Sequence, residues 1–274
     1  NTVQVKNMSF HYPTTYSYET DYMHLMQNFF SSWKTGSRWI DEAFEEYIQS
    51  LEQEQKTVKP IILNDISLDF EVGKIYGIVG KNGAGKTTLM HLLSWMFRSY
   101  EGVVMFNGQS SKEWTPELYA RKISFLTQQP FFMDWWSTIE ENILLWVNNH
   151  DSDMLWTYLE KFWLAQKIKE SKKWLESSIG DDIDFSWWEK QIIACIRVLL
   201  QDRPIIIMDE WTNQLDAENE LLIMNEFLQN KSNKIIIFIT HRMSTISRAD
   251  IIYCLESHTI RDNGTHKELL SRWD

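Results

Sequence analysis

The sequence predicts an α/β fold built on a mostly parallel β-sheet, and three observations predict it. Apolar runs of strand length, IYGIVG (75–80), PIIIMDE (204–210) and KIIIFIT (234–240), each end in polar residues, as strands buried on both faces do. Stretches of helical period separate them, and strands that alternate with helices pair in parallel. The 274 residues suffice for one large unit with a sizeable core.

In chain order, residues 2–10 (TVQVKNMSF) alternate as a strand does, and 61–70 (IILNDISLDF) do the same before the turn at Glu71, Val72 and Gly73. These predict an antiparallel β edge. Between them, Tyr22, Leu25, Met26 and Phe29 recur at helical spacing, as do Ile40, Phe44, Tyr47, Ile48 and Leu51, so a helical hairpin is expected as an insertion over 14–59. The strand at 75–80 runs into a Gly-rich loop and then TTLMHLL, which reads as a helix. From about 130 to 184 the pattern is helical, with Met154, Leu155, Tyr158, Leu159 and Phe162 along one face, which predicts a helical subdomain.

Composition narrows the function. Lys plus Arg number 27 against 38 Asp plus Glu, a formal charge of -11. That charge repels phosphate backbones and disfavours a broad nucleic-acid-binding face, so a phosphate ligand must be captured locally. Cys195 and Cys254 sit in apolar stretches and read as reduced core residues. No apolar run reaches eighteen residues. The chain begins with Asn1, and a membrane domain is expected to lie upstream of it.

Residues 80–87 read GKNGAGKT, the full G-x-x-x-x-G-K-[ST] pattern, placed after a strand and before a helix. Gly80, Lys81, Asn82, Gly83, Ala84 and Gly85 let successive backbone N–H groups turn inward as an anion nest. Lys86 reaches the terminal phosphates, the Thr87 hydroxyl is a Mg²⁺ ligand, Thr88 follows, and the helix N-terminus adds its positive end. A second site ends the run IIIMDE, at the edge where parallel sheets bind ligands. There Asp209 can hold Mg²⁺ through water, and Glu210 can orient or deprotonate an attacking water.

With these motifs in this order, the chain resembles the nucleotide-binding domain of ABC (ATP-binding cassette) transporters over nearly its whole length, the 14–59 insertion excepted. The resemblance implies a P-loop NTPase with a RecA-like core, ATP and Mg²⁺ as ligands, and a role for each further motif. SFHYP places Tyr12 on the adenine, and ISFLTQQP places Gln128 at the loop that contacts Mg²⁺ and faces the membrane domain. Asn213, Gln214, Leu215 and Asp216 match the segment that joins the two cassettes of a dimer. THRMSTISRADII places His241 where the family bonds the γ-phosphate and positions Glu210. STIEENI (137–143) and SSIGDDIDF (177–185) resemble segments of exporter-type members that communicate with a membrane domain.

The resemblance further implies a head-to-tail dimer of cassettes, a transmembrane domain fused or separate, and a place on the cytoplasmic face of the membrane. Two other functions stay open: a cassette that binds ATP but hydrolyses it poorly, and a soluble ABC ATPase of DNA repair or translation.

One segment departs from the family. Its signature carries two glycines, and here Ser186, Trp187, Trp188 and Glu189 occupy those positions, followed by KQIIACIRVLL in good register. Trp95, Trp163, Trp174 and Trp211 likewise stand where the family places glycine or another small residue, and Trp135 and Trp136 occupy a turn. The chain holds 14 Trp and only 10 Gly, whereas average usage gives roughly 19 glycines. A bulky residue at positive φ costs about 1–3 kcal/mol, so several would rival a domain's stability of about 5–15 kcal/mol. Many of these tryptophans are therefore expected to be glycines, written as tryptophan by a translation table that misreads UGA.

Overall fold

A computed structural model of the chain describes residues 2–11, 61–94, 96–97, 100–133, 137–145, 147, 151–213 and 215–273. The expected insertion at 14–59, Tyr12, Trp95, Trp135, Trp136 and Gln214 lie outside them. The chain divides into two compact units.

The first unit comprises residues 1–69, 80–121 and 255–261. Its sheet has the order β2-β1-β4-β5, formed by β1 (Thr2–His11), β2 (Ile61–Glu71), β4 (Glu101–Phe106) and β5 (Gln109–Ser110). β1 pairs antiparallel with β4, and β4 with β5. Val3, Val5, Met8 and Phe10 are buried, so the alternation slips by one residue between Val5 and Met8. A bulge accounts for the slip: the β1–β4 register shifts between Lys6 and Ser9, and Asn7 has φ 49°. β2 slips in the same way between Leu63 and Ile66, with Asp65 at φ 50°. The Asn7 amide donates to Asp65 Oδ1 at 2.8 Å, so the two irregularities fasten each other. Helix α1 (Lys86–Leu93) follows the Gly-rich loop, and α2 (Pro116–Ala120) starts on a Thr115 cap with proline in its first turn.

The second unit comprises 70–79, 122–254 and 262–274. Its parallel core joins β3 (Ile75–Gly80), β6 (Ile123–Leu126), β7 (Ile205–Asp209) and β8 (Ile235–Ile239) within a sheet of order β10-β9-β3-β8-β7-β6, whose edge is β9 (Ile251–Glu256) and β10 (Thr259–Gly264). All five residues of β7 and of β8 are buried, which explains their unbroken apolar runs.

Between β6 and β7 lie the helices α3 (Ile139–Ile143), α4 (Ser152–Lys161), α5 (Ala165–Glu170) and α6 (Trp187–Gln201). Leu155, Tyr158, Leu159 and Phe162 are buried along α4, whereas Met154, expected on the same face, is 48% exposed. The segments 137–143 and 177–185 meet: Ile139 N donates to Ser177 O at 3.1 Å and Ile179 N to Ser137 O at 3.2 Å. Helix α7 (Ala217–Gln229) links β7 to β8, α8 (Met243–Ile246) follows β8, and α9 (His266–Trp273) ends the described chain. Cys195 is buried and Cys254 half-buried.

Candidate nucleotide site

The phosphate loop is built for close approach to backbone. Gly85 caps α1 at φ 101°, and a Cβ there would stand 2.7 Å from the Ile62 carbonyl oxygen, so no other residue fits. Ala84 N donates back to Lys81 O at 3.1 Å, tightening the turn. Lys86 is buried, and its Nζ donates to the carbonyls of Gly80 (2.9 Å) and Lys81 (3.1 Å), which folds the ammonium over the loop. Lys81, Asn82 and Gly83 are exposed at its rim, Thr87 is half-buried and Thr88 buried. No acidic residue occupies the first turn of α1 to oppose an anion. Amides, a helix N-terminus and one ammonium together suit a polyphosphate.

The second group of residues lies in the other unit. β7 delivers the buried Asp209 at its end, and the chain then turns left-handed at Glu210, φ 44°. Glu210 N donates to Ile239 O at 3.1 Å, so β8 fixes this turn. Glu210 Oε1 lies 2.8 Å from His241 Nε2, and Asn213 Nδ2 donates to Glu210 Oε2 at 2.9 Å. Both oxygens of the carboxylate are thus oriented, with the side chain still 21% exposed. A positive φ in a non-glycine residue stores strain of the kind that collects at working sites.

An arginine missed by motif reading ties this group together. Arg242, next to His241, donates from NH2 to Leu215 O at 2.7 Å and pairs with Glu220, which also accepts from the Thr245 hydroxyl. Asp216 caps α7 by accepting from Asn219 N at 2.8 Å. Glu210 and Leu215 are thus each held from the segment after β8, through His241 and Arg242.

Gln128 is exposed in a bend after β6. The segment beyond it is pinned by the buried Arg197, which donates to Phe131 O at 3.0 Å and Asn142 O at 2.9 Å. Burial lowers the Arg197 guanidinium to about 10. At the start of α6, Ser186 donates from both its N–H and its hydroxyl to Glu189 Oε2 at 2.7 Å, and Lys167 Nζ lies 2.8 Å from both Glu189 oxygens. Burial would raise the Glu189 carboxyl, but Lys167 and Ser186 outweigh it and leave it below its ordinary value. Trp187 and Trp188 are 57% and 40% exposed on the same turn.

Comparison with known proteins shows the family. The profile of the ABC transporter family matches residues 63–213, more than half of the sequence. The chain belongs to this family. It is 33% identical over 214 residues to the mitochondrial iron-sulfur clusters transporter ATM1 of Kluyveromyces lactis, covering 77% of this chain and 29% of that protein. It is 31% identical over 215 residues to the alpha-hemolysin translocation ATP-binding protein HlyB of Escherichia coli O157:H7, covering 78% and 30%. A solved bacterial Atm1-family ABC exporter with ATP bound shares the fold, with TM-score 0.75 at 23% identity over all of this chain and 40% of the other. The chain thus spans about a third of the length of the curated relatives it matches. Among the described residues of this ABC domain, no helix is long and apolar enough to cross a membrane.

Proposed function

We propose that this ABC domain binds ATP with Mg²⁺ and hydrolyses it to drive an exporter. The observation that carries the reading is the Glu210–His241 contact of 2.8 Å, with Glu210 directly after the buried parallel strand β7 and His241 two residues beyond the buried parallel strand β8, in a chain whose strand β3 runs into a polyphosphate-binding loop. Thr87, Asp209 and Gln128 are oxygen donors of the kind a hard dication takes, and no group of three or more His, Cys, Asp or Glu among the described residues forms a metal site of its own. Bound Mg²⁺ would neutralise charge on the phosphate oxygens.

The loop amides and Lys86 hold the phosphates, and the family resemblance assigns the base to Tyr12. Glu210 orients the attacking water and accepts its proton. His241 holds the Glu210 carboxylate and bonds the γ-phosphate. Asn213 fixes the second carboxylate oxygen, so the base has one productive orientation.

A second cassette, arranged head to tail, would complete each loop with residues 186–189, and Asp216 would lie at their junction. The pairing of 137–143 with 177–185 supplies a single surface for a membrane domain, fused or separate, at the cytoplasmic face. The similarity to a translocation protein and a transporter supports export over DNA repair or translation. The exposed indoles of Trp187 and Trp188 favour a second reading for the chain as written: it binds ATP and turns it over poorly. Equilibrium binding of Mg-ATP tests the proposal. Micromolar to millimolar affinity that disappears in Lys86→Ala supports it, and equal affinity in both proteins contradicts it.

A further inference from the structure

Nine residues other than glycine adopt positive φ among the described residues: Asn7, Asp65, Asn107, Asp202, Ser257, His258, Glu210, Trp163 and Trp174. Asn, Asp and His are the types that tolerate this region, Ser257 lies with His258 in the two-residue turn between β9 and β10, where positive φ is required at both positions, and Glu210 belongs to the candidate site. The two tryptophans fit none of these explanations.

Trp163 follows the C-cap Phe162 of α4 with φ 60°. Its N–H donates to Glu160 O at 3.2 Å, and Leu164 N donates to Leu159 O at 2.9 Å. These are the two hydrogen bonds of a Schellman motif, and the two positions that its apolar contact joins, Leu159 and Leu164, are both buried. Position 163 is the left-handed residue of that motif, the place glycine fills because it has no Cβ. The indole that stands there is 59% exposed, so burial offers no compensation. Trp174 has φ 57° and is 54% exposed. Its backbone is held in that conformation, for its carbonyl accepts from Ser177 N at 3.1 Å and from the Ser171 hydroxyl at 3.3 Å.

Trp114 shows what a required tryptophan looks like in the same chain. It has φ -81°, is 8% exposed, and stacks on Phe106 with ring centroids 4.3 Å apart. Trp211 is fully buried against Phe227, without positive φ, and its backbone makes no demand for glycine.

We propose that the working protein carries glycine at positions 163 and 174, and with them at 187 and 188, because its gene uses UGA as a glycine codon. Positions 187 and 188 have helical backbones that any residue adopts. They join the proposal because their indoles project from the first turn of α6, with the Lys190 ammonium 5.7 Å from the Trp187 ring, at the two places where this sequence departs from the glycines of its family. At 163 and 174 the inference is independent of the ATP reading, since it rests on backbone conformation; at 187 and 188 it rests on the family resemblance.

The codons decide it. UGA at 163, 174, 187 and 188 with UGG at 114 is the expected result, followed by glycine in the corresponding peptides of protein purified from its native source and weighed by mass spectrometry. UGG at 163 or 174, or tryptophan in those native peptides, overturns the proposal, and UGG at 187 and 188 alone overturns its extension to the signature. A folding measurement gives a second arm on the full chain as written. Trp163→Gly and Trp174→Gly should each raise the melting temperature and Trp114→Gly should lower it. A fall at all three would overturn the assignment.

Discussion

The phosphate loop and the end of α4 pose the same backbone problem and fill it differently. At Gly85 the chain turns left-handed to open a helix, and glycine occupies the turn. At 163 it turns left-handed to close one, and tryptophan occupies it. The geometry of the second turn is as well formed as that of the first, down to both hydrogen bonds of the motif. A backbone conformation thus records which side chain it was selected for, even where the letter written there disagrees.

The largest effect that would sharpen this contrast is catalytic. If 187 and 188 are glycines, replacing both tryptophans by glycine opens the first turn of α6 to a partner cassette. Steady-state ATP turnover should then rise about 10²-fold or more, the scale on which misplacing a reacting group acts. Unchanged turnover would mean the indoles do not obstruct the dimer.

The next effect is on stability and has opposite signs at the two turns. Gly85→Ala places a Cβ against the Ile62 carbonyl at positive φ and should cost about 1–3 kcal/mol, read from denaturant midpoints. Trp163→Gly removes comparable strain and should stabilise by about 1 kcal/mol. Equal signs would break the comparison.

An effect of similar size is expected in acid. Burial lowers His91, in α1, to about 4, so it stays neutral in the folded protein while the unfolded chain takes up a proton near 6.5. Its contribution is present in full above pH 6.5 and is lost as pH falls through about 4. The loss is on the order of 3 kcal/mol and should vanish in His91→Leu, as followed by thermal melts across that window. The smallest effect is at a helix cap: Asp216→Ala should cost about 1 kcal/mol by releasing Asn219 N.

The parts of this architecture that were legible in the sequence are those where one physical requirement acts alone. β3, β7 and β8 are buried on both faces, so they read as apolar runs with correct ends to within a residue. The loop 80–87 was legible because glycine, lysine and threonine at that spacing have few other uses. β4 and β10 did not stand out, since EGVVMF mixes exposed, half-buried and buried positions and TIRDNG mixes exposed and half-buried ones, and β6 is only four residues long. The bulges at Asn7 and Asp65 were illegible because they depend on a hydrogen bond between strands 58 residues apart. Glu210 and His241 could be named from motif order, but the positive φ of Glu210 and the bridge from Arg242 to Leu215 are properties of packing. Met154 fell on the apolar face by periodicity and lies 48% exposed, as period alone does not fix how wide the buried stripe is.

The account rests most heavily on Glu210 as the base that activates water. Single-turnover hydrolysis by the glycine-bearing chain, compared between the parent and Glu210→Gln with Mg-ATP binding measured in parallel, tests this directly. The predicted result is retained binding with the rate reduced by about 10²–10⁴-fold. Hydrolysis at the parental rate in Glu210→Gln would contradict it.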